Sequence, residues 1–168
     1  SQECFRTTAT NLMGYDPDKC ISVSHDRKNV LLVGDSHAAM YSLAFRSVYT
    51  DVNFSDAMIS SCRPTIGQQP SECQRMVDSI LLHHLSGIDA IILSARWGNE
   101  SAQELRRTIE IISKDAPPIY VIGPSMEYIS PLPTILTLAA WNGEIVPSTL
   151  ERRGIRSIDA SFKSVLKG

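Results

Sequence analysis

Apolar residues along this chain gather into two alternating kinds of stretch. Short, continuous apolar runs at 30–33 (VLLV), 89–93 (DAIIL) and 119–122 (IYVI) have the length and β-branched content of strands, and a weaker strand is predicted over 52–59. Continuous apolarity suits strands covered on both faces, as in a parallel sheet. Between these runs the apolar positions recur with helical spacing. Helices are predicted over 38–49, over 72–85 with Met76, Ile80 and Leu81 on one side, and over 103–113, where Leu105, Ile109 and Ile112 oppose Arg106, Arg107 and Glu110. A Pro-rich loop at 125–133 leads into an apolar helical stretch ending near Trp141 and a turn at Asn142-Gly143, and Ile155, Ile158, Phe162 and Val165 mark a last amphipathic helix. Strand alternating with helix implies a three-layer α/β/α sandwich, its parallel sheet linked by right-handed crossovers. Residues 1–29 are polar, with Gly14 and Pro17, and read as an irregular lead-in to an α/β domain over 30–168.

The chain has 168 residues, 43% of them hydrophobic and 20% charged, which fits one soluble domain with a sizeable core. Its formal net charge is -2 and no Lys/Arg block occurs, so the electrostatic footprint of a nucleic-acid binder is missing and no nucleic-acid partner is expected. No apolar run reaches the ~18 residues of a membrane span. The opening Ser1-Gln2-Glu3, with no Met or signal-like segment, reads as the start of an excised piece. Cys4, Cys20, Cys62 and Cys73 lack the spacing of a zinc site, and neither a metal nor a cofactor is expected. They read as disulfides or as four small buried thiols. Of three possible pairings, Cys4 with Cys20 and Cys62 with Cys73 closes the shortest loops and would place the chain in an oxidising compartment.

In a parallel α/β sheet, ligands gather beyond the carboxyl ends of the strands, where the following helices point their N-termini. The first strong strand ends there in Gly34-Asp35-Ser36-His37. Ser36 is the candidate nucleophile, its own N–H aided by the helix dipole in stabilising an oxyanion, with Gly34 permitting close approach. The competing reading is that Asp35-Ser36 only caps the helix. Two further loops face the same rim: 60–64, with Cys62 and Arg63, and 94–99, with Arg96, Trp97 and Asn99. Arg96 or Asn99 would donate to an oxyanion, or else form an ion pair and a helix cap. Trp97 would serve as an apolar wall or sugar platform, or else as a core residue.

These segments resemble the SGNH hydrolase superfamily, and within it the SGNH domain fused to membrane acyltransferases of acyltransferase family 3. The resemblance rests on Gly-Asp-Ser-His-Ala at 34–38, Ser-Cys-Arg-Pro at 61–64, Ala-Arg-Trp at 95–97 and Gly-Pro at 123–124, in order at consecutive strand ends, and on the two cysteine pairs. It implies a flavodoxin-like SGNH fold and an O-acetyltransferase module on the periplasmic or extracellular side of a bacterial cytoplasmic membrane. There Ser36 would carry an acetyl group from the membrane partner domain to a hydroxyl of a surface glycan. A carbohydrate esterase and a non-catalytic glycan-binding domain are the alternatives. Gly34, Asp35, His37, Cys62, Arg63, Arg96, Trp97 and Asn99 would form the pocket, and Gly67 and Asn99 lie near the loops of the family's oxyanion glycine and asparagine.

The family's closing Asp-x-x-His is missing. A base must reach within about 3 Å of the serine hydroxyl. Of the four histidines, His25 precedes the first strong strand and would lie more than about 15 Å away at the opposite edge. His83 and His84 end a helix that returns to that opposite edge. His37 follows Ser36 directly, and successive helical residues point about 100° apart. The base is therefore expected outside these 168 residues, the domain lacking its final C-terminal segment, and little turnover is expected from this polypeptide alone.

Overall fold

The computed structural model describes residues 4–6, 15–67, 71–145 and 150–166. The strands are β1 (Phe5–Arg6), β2 (Lys28–Gly34), β3 (Val52–Ile59), β4 (Ala90–Ser94) and β5 (Ile119–Ile122). All pair in parallel, in the order β1-β3-β2-β4-β5. The helices are α1 (Pro17–Cys20), α2 (Ser36–Val48), α3 (Ser71–His83), α4 (Ser101–Ile112), α5 (Leu132–Asn142) and α6 (Ile155–Val165). The expected α/β/α architecture is the observed one.

Strand alternation divides the core in two. Leu31, Val33, Ala57, Ile91 and Leu93 point to the face covered by Val77, Ile80 and Leu81 of α3, Leu105 and Ile112 of α4, and Ile158 and Phe162 of α6. Leu32 and Met58 point the other way, onto Ala38 of α2, with Phe5, Phe45 and Ile92 beside them. Both faces of β2 are thus dry, which is why its sequence is continuously apolar.

The described part of the lead-in, residues 4–6 and 15–29, holds more regular structure than its polarity suggested. Phe5 and Arg6 pair with Met58 and Ile59 as an edge strand, a two-residue element too short to leave a periodic signal. Asp16 caps α1 through its side chain, and Pro17 supplies the preset φ of a first helical turn. Gly14 lies outside the described residues. The cysteines form the expected disulfides, Cys4–Cys20 and Cys62–Cys73, with Cα atoms 5.4 and 5.5 Å apart.

Helix α5 differs from the rest. It has no charged residue, and only Ile135 of its side chains is buried; Leu136, Leu138 and Trp141 stand in solvent. No described helix is long and apolar enough to cross a membrane.

Candidate active site

Parallel pairing brings the loops together. Gly34 lies opposite Met58 on one side and Ser94 on the other, and Ser94 lies opposite Ile122, so the segments that follow β2, β3, β4 and β5 leave the sheet at one rim. Gly34 is required there by space. A Cβ at this position would lie 1.7 Å from the Ser94 carbonyl oxygen and 2.9 Å from the Ala38 Cβ.

Ser36 is the first residue of α2 and is exposed, and no described residue hydrogen-bonds its hydroxyl. The capping role belongs to its neighbour Asp35, which is buried and has both carboxylate oxygens engaged. Oδ1 accepts from the His37 backbone N–H at 2.8 Å and Oδ2 from the Arg96 backbone N–H at 2.9 Å. One short side chain therefore starts the helix and latches the β2 and β4 loops together. The two readings of Asp35-Ser36 separate by residue: Asp35 caps, and Ser36 is left free.

The remaining candidates divide. Trp97 is 1% exposed, donates its indole N–H to the Ile122 carbonyl at 2.8 Å and packs on Phe162 with ring centroids 5.1 Å apart. The sugar-platform reading is corrected on this ground: a buried indole offers no face to a sugar, and Trp97 is the core pillar that joins the β4 loop to β5 and α6. Arg63 pairs with Glu104 of α4 at 3.3 Å. Cys62 is consumed in its disulfide, which pins a turn whose Ser61 sits at φ 63, a left-handed value uncommon for serine. Asn99 is exposed at the rim and is not the cap of α4, whose N-cap position is Glu100. His37 is half-buried, and its Nδ1 is buried without a hydrogen-bond partner. Its Nδ1 lies 3.7 Å from Asp35 Oδ1 and its Nε2 3.5 Å from Glu127 Oε1.

Glu127 is the residue the sequence reading missed. It lies in the loop after β5, and its Oε2 accepts from Arg96 Nε at 3.0 Å and Nη2 at 2.8 Å, while its Oε1 lies 2.9 Å from Arg152 Nη1. Burial alone would raise the Glu127 carboxyl. The Arg96 hydrogen bond, with the charges of Arg152, Arg96 and His37, outweighs it and holds the group below its ordinary value. The Glu127 hydrogen bond and then its charge raise Arg96 in return. The rule that selected the other loops, that residues just past parallel strands meet at one rim, also pointed to Glu127. Arg152 carried no such signal. It arrives through an antiparallel bridge between Tyr128 and Glu151, and its Nη2 donates to the Trp97 carbonyl at 2.8 Å. No group of three or more His, Cys, Asp or Glu among the described residues is placed to hold a metal ion.

A family model described as the SGNH domain (fused to AT3 domains) matches residues 3–166. The chain belongs to this SGNH family. Among solved structures, this SGNH domain is similar to the periplasmic domain of a lipopolysaccharide acetyltransferase from Salmonella ser. Paratyphi A. The TM-score is 0.71 at 18% identity, over 98% of this chain and 70% of that one. At that identity the likeness establishes the fold. No curated protein matches the sequence.

Proposed function

We propose that this SGNH domain is an extracytoplasmic O-acetyltransferase module that works through an acetyl ester on Ser36. The observation that carries the reading is a free, exposed serine hydroxyl at the first position of α2, next to an aspartate whose two oxygens are both taken by backbone N–H groups. In the first half-reaction, Ser36 Oγ attacks the acetyl carbonyl of a donor delivered by a membrane acyltransferase domain, and the donor's leaving group departs with the proton. A glycan hydroxyl then attacks the ester, releasing the acetylated glycan and restoring Ser36. The unbonded N–H groups of the first turn of α2 are suited to the oxyanion. Family membership, the neighbour's name and the two disulfides support this activity and location.

The base comes from polypeptide outside these residues. The His37 ring lies near two carboxylates, Nδ1 without a hydrogen-bond partner and Nε2 3.5 Å from Glu127, and no hydrogen bond joins it to Ser36. Beside β5, an edge strand, an open groove of about 770 Å³ runs between α4 and α6, lined by Ile109, Val121 and Phe162. A further parallel strand fits that edge, and a loop leaving it would face the Ser36 rim. The test is acetyl transfer by the longer protein that carries this domain together with its membrane acyltransferase domain. Ser36→Ala should abolish glycan acetylation, and acetyl release to water without an acceptor would favour the esterase alternative. Full activity in Ser36→Ala would leave only a binding role.

A further inference from the structure

Four side chains from four separate segments meet beside Ser36, and one carboxylate connects them. Glu127 reaches His37 at the start of α2, Arg96 after β4 and Arg152 before α6. The loop that carries it is fastened at both ends. Tyr41 of α2 and Ser125 share a hydrogen bond at 3.2 Å, and the Arg152 backbone N–H donates to the Glu127 carbonyl at 2.6 Å. Glu127 is therefore placed by its backbone before its side chain makes any contact.

We propose that Glu127 is the positioning residue of the Ser36 site, fixing the His37 ring and the Arg96 guanidinium at the rim through one carboxylate. This rests on the reading of Ser36 as the acyl carrier. Arg96 is 58% exposed. A guanidinium this exposed would wander among rotamers if unanchored. Two donors on one Glu127 oxygen hold it in one place and leave its remaining N–H groups for an oxygen of the acyl donor or acceptor. On its other oxygen the carboxylate turns His37 Nε2 toward the β5 loop, which leaves the Ser36 hydroxyl clear for an incoming base.

The experiment uses the longer protein that carries this domain together with its membrane acyltransferase domain, and 4-nitrophenyl acetate. Transfer to Ser36 breaks the aryl ester bond, forms the serine ester, and releases 4-nitrophenolate while the hydroxyl proton passes to buffer. Labelling of Ser36 is followed by intact mass, and exchange of the Arg96 Nε–H with water by nuclear magnetic resonance. Relative to wild type, Glu127→Ala should slow Ser36 acetylation about tenfold and speed Arg96 exchange by a similar factor, the scale expected when a positioning contact is lost. Glu127→Gln, which keeps an acceptor oxygen and the shape, should fall between them. It also serves as the folded variant if the alanine substitution unfolds the chain. Glu110→Gln, in the exposed Arg106–Glu110 pair, should change neither reading. Wild-type acetylation of Ser36 in both Glu127 variants would overturn the positioning role alone. Equal labelling of wild type and Ser36→Ala would overturn the acyl-carrier reading and this proposal with it.

Discussion

On one face of the sheet, Leu31, Val33, Ile91 and Leu93 are sealed by three helices and by Trp97; on the other, Leu32 and Met58 meet α2 alone. The second face makes up the difference with polar and aromatic contacts. Asp56 of β3, 6% exposed, accepts from Ser42 Oγ at both carboxylate oxygens and from Arg46 Nη2 at 2.8 Å, while the rings of Phe45 and Phe54 stack at 5.7 Å. On the three-helix face, Tyr15 donates its hydroxyl to the Asp56 carbonyl, and burial first, then the Asp56 and Asp16 charges, push its ionisation well up. The outer side of α2 is left bare, with Met40 and Leu43 in solvent. Stability is thus concentrated on the three-helix face, whereas the helix that begins with Ser36 is held by a few directional contacts. A helix fixed by hydrogen bonds keeps its N-terminus in register with the rim without needing deep packing.

That contrast can be broken most severely at Trp97. Trp97→Ala removes the pillar between β4, β5 and α6 and should lower unfolding free energy by about 3–5 kcal/mol, read as a shift in urea midpoint. Leu43→Ala on the bare side of α2 should stay within about 0.5 kcal/mol. Equal losses at the two sites would refute the division. Next in size is Arg46→Ala, which leaves Asp56 buried without its cation. Because Arg46 is itself 41% exposed and water can reach the gap, the expected loss is about 1–2 kcal/mol, and removing Asp56 as well should recover part of it.

The smallest effect is a pH dependence at Glu127. Its folded value is depressed, so its ion pairs contribute fully above the ordinary value of 4.5 and fade as pH falls through the lower folded value. The stability difference between wild type and Glu127→Gln, at most about 1 kcal/mol near neutrality, should hold steady at higher pH and shrink below 4.5. A difference that grows on acidification would show that the pairing is wrongly assigned.

How much of this was legible depended on whether a residue's role was local. Strands β3 and β5 match their expected bounds of 52–59 and 119–122, since strand length and apolarity are properties of the segment itself. Strand β2 starts two residues earlier than its apolar run, because Lys28 and Asn29 pair with β3 despite their polarity. Asn29 is buried yet satisfied, accepting from the Ser24 backbone N–H and the Asn53 amide. Strand β1 takes its order from Met58 and Ile59, more than fifty residues away in sequence, and nothing within two residues could announce it. At the site, Ser36, Asp35 and Gly34 were readable because a strand-to-helix turn explains all three. The indole of Trp97 could have faced solvent or core, and only α6, through Phe162, decides. Glu127 and Arg152 became partners through a bridge between two distant loops, a relation with no periodic trace.

The chain has two tryptophans, and they stand at opposite extremes: Trp97 at 1% exposure and Trp141, on α5, at 88%. Their emission spectra should therefore be separable in the folded protein, one from a dry interior and one already in water. On unfolding, only the interior indole changes surroundings, so the fluorescence signal reports the three-helix core alone, while quenching of the outer indole registers whatever comes to lie against α5.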